Sequence, residues 1–95
     1  MEKRIQRLKM LVENYLGCTR NQISKELGQC ENKSDNEIWF YRKSYNMLFR
    51  EEIAFLFIED EVADVVITDY FLWIEIRNIF YFEGLHPEYK VINLI

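Results

Sequence analysis

The hydrophobic period of this chain changes once, and that change limits what it can fold into. Up to residue 28 the apolar side chains recur at helical spacing, and from residue 37 onward they recur at every second position. Between the two regimes lies Gln29-Cys30-Glu31-Asn32-Lys33-Ser34-Asp35-Asn36, a polar, turn-rich loop. A 3.6-residue pattern cannot bury one face of a strand, and a two-residue pattern cannot bury one stripe of a helix. The chain therefore reads as helices followed by strands. That order implies an α+β fold with an antiparallel sheet, since alternating units would be needed for a parallel one. Its 95 residues leave room for a single core.

The helical part divides in two. Ile5, Leu8, Leu11, Val12, Tyr15 and Leu16 share one face of a helix over residues 3–16, and Gly17 ends it by accepting a left-handed backbone. The cations Lys3, Arg4, Arg7 and Lys9 crowd the start of this helix, the wrong end for its dipole. Thr19 through Gln22 has capping-box form, with a hydroxyl at the N-cap and Gln three residues on. The spacing predicts a short second helix that packs through Ile23 and Leu27 and stops at Gly28.

The strand part begins at Glu37–Lys43. Ile38 and Phe40 alternate there with Trp39 and Tyr41, and apolar residues on both faces suggest a strand that is central in the sheet or covered on both sides. Ser44–Arg50 reads as a connection. Glu51–Ile58 and Val62–Thr68 form a hairpin across an acidic turn, Glu59-Asp60-Glu61, with Val62, Asp64 and Val66 on one face of the second strand. Asp69-Tyr70 breaks the apolar run. Residues 71–82 fit a strand or a helix, and their β-branched and aromatic content favours a strand. Gly84 to Pro87 is a turn, and Tyr89–Ile95 closes the chain as a short strand. The expected architecture is two N-terminal helices (1–28) packed on one face of a three- to five-stranded antiparallel sheet (37–95), all in one domain spanning 1–95.

The segment Leu16-Gly17-Cys18-Thr19-Arg20-Asn21-Gln22-Ile23-Ser24-Lys25-Glu26-Leu27-Gly28 resembles the helix-loop-helix signature of the SmpA/OmlA (BamE-like) modules. Those modules show Gly-x-Thr, then Gln-Ile or Gln-Val, then a Leu-Gly ending, a polar loop, a Trp-x-Tyr strand and a hairpin. Here Trp39-Phe40-Tyr41 and the 53–67 hairpin follow in that order, so the resemblance covers residues 16–68. The β-lactamase inhibitory protein has a similar helix-loop-helix and sheet unit. The resemblance implies this architecture and protein binding over the exposed sheet.

Charge is segregated along the chain. Residues 1–25 carry six basic and two acidic side chains, residues 26–50 four of each, and residues 51–95 two basic and ten acidic. A net charge of −4 argues against direct nucleic-acid binding, which must neutralise phosphates. Chemistry-bearing residues are sparse. His86 is the sole histidine, Cys18 and Cys30 lie twelve residues apart, and the three glycines stand singly, so no catalytic, metal, cofactor or phosphate-loop motif is expected. The paired carboxylates Glu51-Glu52 and Glu59-Asp60-Glu61 read as solvated. The charges run to residue 9 without an apolar leader, and no span of about 20 apolar residues exists, so a cytoplasmic protein without membrane contact is expected.

These features point to a non-catalytic, protein-binding inhibitor, in the manner of an immunity protein that neutralises a basic, nuclease-type bacterial toxin. The expected contact residues are the acids Glu59, Asp60, Glu61, Asp64 and Asp69, with Trp39, Tyr41 and Trp73 as aromatic anchors. A phage- or mobile-element-encoded adaptor is an alternative, as is a structural homo-oligomerising domain. The chain is expected to be a monomer or a weak homodimer.

Overall fold

Helix α1 (Glu2–Tyr15) buries Leu8 and Leu11 completely or nearly so, the residues its period places at the centre of one face. The computed structural model describes residues 2–30, 32–34, 37–82 and 88–94. The turn expected over Gly84 to Pro87, with His86, lies outside the described residues. Gly17 follows α1 with a φ of 84°. Its N–H donates to the carbonyl of Val62 at 2.9 Å, and the Val62 N–H returns a bond to the carbonyl of Cys18 at 2.9 Å. The linker between the helices is thereby laced to the start of a strand, with a further bridge between Thr19 and Glu61.

Helix α2 (Arg20–Leu27) starts at the expected capping box: Thr19 Oγ1 accepts from the Gln22 N–H, and Gln22 Oε1 accepts from the Thr19 N–H. Ile23 is fully buried, but Leu27 is 37% exposed at the helix end, so the expected packing role of Leu27 is corrected. An eight-residue helix leaves only its middle turn beneath the protein.

Six strands follow: β1 (Asn32–Ser34), β2 (Ile38–Ser44), β3 (Phe49–Ile58), β4 (Glu61–Phe71), β5 (Ile74–Phe82) and β6 (Glu88–Asn93). Each pairs antiparallel with the next, giving an uninterrupted meander in the order β1-β2-β3-β4-β5-β6. This is the α+β fold, with the helices on one face. The sixth strand is β1, three residues inside the segment read from sequence as a loop. Residues 71–82 resolve into a turn at Leu72-Trp73 and strand β5. Asp69-Tyr70 does not break a strand, because β4 runs through both residues.

The helix-covered face carries Trp39 from β2, Ile53, Phe55 and Phe57 from β3, Val62, Val65 and Ile67 from β4, and Ile79 from β5. Phe55 sits at its centre, with the rings of Tyr15 and Tyr41 edge-on at 5.7 and 5.8 Å. A bulge alters one expected face. Leu56 pairs with Asp64 and Phe57 with Val62, leaving Ala63 as an extra residue. Val62 thus turns to the core beside Val65, while Asp64 and Val66 stay on the open face. Nor is β2 covered on both sides: Ile38 and Phe40 lie half-buried on the uncovered face. Cys18 and Cys30 are free thiols packed at the core margin.

The middle and the end of α2 differ enough to test. Ile23→Ala should destabilise the protein by about 2–5 kcal/mol, whereas Leu27→Ala should cost about 1 kcal/mol or less, measured by chemical denaturation.

Candidate protein-binding surface

Strands β3 and β4 run the length of the sheet and define its two ends. At one end they meet in the Glu59-Asp60 turn; at the other lie the β2–β3 connection (residues 45–48) and the β4–β5 turn. The helix-covered side of this second end holds a buried ionic cluster. Arg4 Nη2 donates to Glu51 Oε2 at 2.7 Å and to Asp69 Oδ1 at 2.6 Å, and Arg4 Nε donates to Asp69 Oδ2 at 3.0 Å. Arg7 Nη2 donates to Glu51 Oε1 at 3.1 Å, and the Tyr45 hydroxyl donates to Glu51 Oε2 at 2.7 Å. Arg77 Nε lies 3.3 Å from Asp69 Oδ2. Glu51 has no exposure at all, and Asp69 is buried too.

Glu51 was expected to be solvated, and Asp69 to belong to an exposed acidic patch; the placement of both is corrected here. Burial alone would raise the Glu51 pKa, but its bonds from Arg7, Tyr45 and Arg4 outweigh burial and hold it below the ordinary carboxylate value. A carboxylate held ionised by three donors is a poor proton carrier at neutral pH. The cluster therefore fixes α1 on the sheet.

The acidic end is built differently. Glu59 and Asp60 are the two central residues of the β3–β4 turn, both at positive φ (52° and 67°), the geometry whose twist matches a two-residue hairpin. Arg20 reaches this turn from α2, pairing with Asp60 at 2.9 Å and lying 4.7 Å over the Phe57 ring. Beside the turn, on the uncovered side, a cleft of about 470 Å³ is lined by Glu37, Ile38, Leu56, Ile58, Ala63 and Asp64, among others. Ile58 is 66% exposed there. The floor of the cleft continues along the open sheet face through Phe40, Ala54, Val66 and Phe80, a shallow surface on which these apolar residues are interspersed with Glu52, Thr68, Glu75 and Asn78.

The residues expected to bind a partner do not form one surface. Glu59, Asp60 and Glu61 are exposed together at the turn, and Asp64 lies close by on the open face, its Oδ1 accepting from the Val65 N–H. Asp69 is eight residues along β4 from Glu61, roughly 26 Å at strand rise, inside the arginine cluster. Trp39 is 5% exposed beneath the helices, and Tyr41 lies on the same side with its hydroxyl donating to the Gly28 carbonyl. Trp73 is exposed at the far turn. The aromatic sheet face expected around Trp39, Tyr41 and Trp73 is thus replaced by an aliphatic one around Ile38, Leu56 and Ile58.

Among the described residues, no three His, Cys, Asp or Glu side chains are arranged to hold a metal ion, and no helix is long and apolar enough to cross a membrane. Comparison of the chain with known protein families, with characterised proteins and with solved structures gives no match.

The ionic cluster carries a pH signature. Because the folded Glu51 pKa lies below its unfolded value, its contribution is complete above about pH 4.3 and is lost as pH falls through the lowered value. Glu51→Gln should destabilise the fold by about 3 kcal/mol at neutral pH, because half-buried Arg7 loses its carboxylate partner and Arg4 keeps only Asp69. It should also shrink the acid-side fall in stability, as read from denaturant melts across the acidic range.

Proposed function

We propose that this chain is a small non-catalytic inhibitor that binds and covers a basic protein domain, in the manner of an immunity protein neutralising a nuclease-type toxin. The observation that carries the reading is the cleft at the β3–β4 end: exposed Ile58 with Ile38 and Leu56 at its apolar centre, Glu37 and Asp64 in its wall, and the exposed acids Glu59, Asp60 and Glu61 on the adjoining turn. An apolar centre with an acidic rim suits a partner that presents an apolar side chain among cations. Rim charges steer encounter and raise the association rate, while the desolvated centre sets the residence time. The uncovered face supplies area as well. Five long strands at ~4.8 Å spacing and roughly 30 Å of length can contribute on the order of 800 Å² per partner, the usual size of a specific interface.

The resemblance of residues 16–68 to BamE-like modules supports the same reading, since it implies protein binding over the exposed sheet. A phage- or mobile-element-encoded adaptor would use the same surface, and the neighbouring genes distinguish it from an immunity protein. The homo-oligomer has its own observation: β6 is an edge strand, paired on one side only by β5. Solution mass measurement separates that arrangement from a monomeric inhibitor.

Co-expression with the product of the adjacent open reading frame tests the proposal. The expected result is a complex that abolishes the toxicity of that product and whose association slows as salt is raised. Glu59→Lys with Glu61→Lys should slow association about ten-fold and flatten its salt dependence, with fold stability changed by less than about 0.5 kcal/mol. Ile58→Asp should act mainly by speeding dissociation. Association indifferent to salt, together with a complex that survives all three substitutions, would overturn the reading.

A further inference from the structure

The end of the sheet opposite the acidic cleft has an unusual surface. The β2–β3 connection puts Met47 at its apex, 96% exposed, with Leu48 and Phe49 exposed behind it. The β4–β5 turn beside it presents Trp73, 77% exposed, and exposed Ile74. The two turns form one unit: Phe49 and Phe71 rings are 5.2 Å apart, and the Leu72 N–H donates to the Leu48 carbonyl.

The backbone here is held firmly. Asn46 Oδ1 accepts from the N–H groups of Leu48 and Phe49 at 2.7 and 3.0 Å, which shapes the first turn. Leu72 sits at a φ of 59°, a conformation disfavoured for a leucine, and its carbonyl accepts from Arg50 Nη2 at 2.8 Å. Both turns are therefore tied down in a form that holds Met47 and Trp73 away from the protein. Exposing side chains of this size together is unfavourable for a surface that meets only water.

The charge around them is opposite to that of the chain. The buried cluster beneath has three arginines against Glu51 and Asp69, an excess of one positive charge. Lys3, Arg42, Lys43 and Arg50 add four at this end, and Glu52 and Glu75 remove two, leaving +3 among the described side chains in a protein whose net charge is −4. A cleft of about 250 Å³ beside the turns opens between Arg4, Arg50 and Arg77.

We propose that this end is a peripheral membrane contact that seats on an anionic lipid surface. The apolar residues are gathered at a narrow tip built from two turns, a shape that enters the headgroup layer more readily than it fills a flat protein interface. Tryptophan is a favoured side chain at that boundary. The surrounding cations match lipid phosphates and anionic headgroups, at about 1 kcal/mol for each lysine or arginine near the surface. The acidic turn, about 30 Å away along β3, is repelled by the same surface and held toward solvent. The expectation of no membrane contact rested on the lack of a long apolar segment, a criterion blind to a contact assembled from two separate turns.

The test is sedimentation and tryptophan fluorescence of the intact chain with phosphatidylcholine vesicles, with and without phosphatidylserine. The protein has two tryptophans, and Trp39 is already buried, so a blue shift on binding reports Trp73. The expected result is binding to the anionic vesicles, a blue shift, and quenching by lipids brominated in their chains. Met47→Asp and Trp73→Asp, both at exposed sites, should each weaken partitioning at least about ten-fold without lowering the melting temperature, and Lys43→Glu several-fold. Failure to bind phosphatidylserine vesicles overturns the proposal, as does binding that survives both aspartate substitutions. Lipid-independent self-association abolished by those substitutions would also overturn it, by assigning the tip to a second copy of the chain.

Discussion

Glu51 is the residue on which the arrangement depends. It occupies a position in phase with Ile53, Phe55 and Phe57 on the covered face of β3, where an ion without partners would be strongly destabilising. Its cationic partners come from α1, more than forty residues earlier in the chain. The carboxylate is tolerable only with α1 in place, and Arg4 and Arg7 are neutralised only against the finished sheet. A helix end and two strands are thus coupled by charge as well as by apolar contact. Ordinary hydrophobic packing would allow α1 to slide along the sheet; the forked bonds of Arg4 to Glu51 and Asp69 fix its position.

Fixing the helices on one face leaves the other to solvent. A meander of six strands with two short helices cannot cover both of its sides, and the uncovered side is apolar along Ile38, Phe40, Leu56, Val66 and Phe80. The bulge at Ala63 shapes this side where it meets the acidic turn. It returns Val62 to the core while keeping Asp64 on the open face, so an acid borders the apolar cleft. The second register shift, between Asp69 and Tyr70, lies at the far end of β4 next to the turn that carries Trp73. Each irregularity of the long central strands therefore adjoins one of the two exposed surfaces, as bulges do when they re-aim side chains at sheet ends.

Much of the architecture was legible because local signals and tertiary packing agree. The change of period at the polar segment, the Thr19 capping box, Gly17 and the hairpin alternation each act within a few residues. What was not legible depends on distant partners. Glu51 is in phase with Ile53, Phe55 and Phe57, and Asp69 with Val65 and Ile67, yet an acid in that phase is informative only once the cations that meet it are known. The one available clue was the group of basic residues at the start of α1, unfavourable for the helix dipole and so in need of another partner. The bulge at Ala63 carries no glycine to mark it, and Val62 consequently reads as belonging to the wrong face. Trp39 and Tyr41 gave no indication of which side of β2 the helices would cover, because both faces of that strand are apolar. The exposed tip is spread over residues 47–49 and 73–74, and only the pairing of β3 with β4 brings them together.

The segregation of charge in sequence is converted by the fold into a polarity along the strands. Arg4 and Arg7, from the basic N-terminal segment, are placed over Glu51 and Asp69, acids of the C-terminal segment, and these charges cancel at one end of the sheet. Cancellation there removes two of the ten C-terminal acids but leaves Glu59, Asp60, Glu61 and Asp64 at the other end, where Arg20 pairs with Asp60. With those acids neutralised, Arg77 and the nearby Lys3, Arg42, Lys43 and Arg50 outweigh Glu52 and Glu75 and leave that end positive, while the turn end stays negative. A molecule so polarised takes up a preferred orientation in any external field before contact is made. Its two exposed apolar surfaces, around Ile58 and around Met47 and Trp73, sit at opposite poles of this charge distribution.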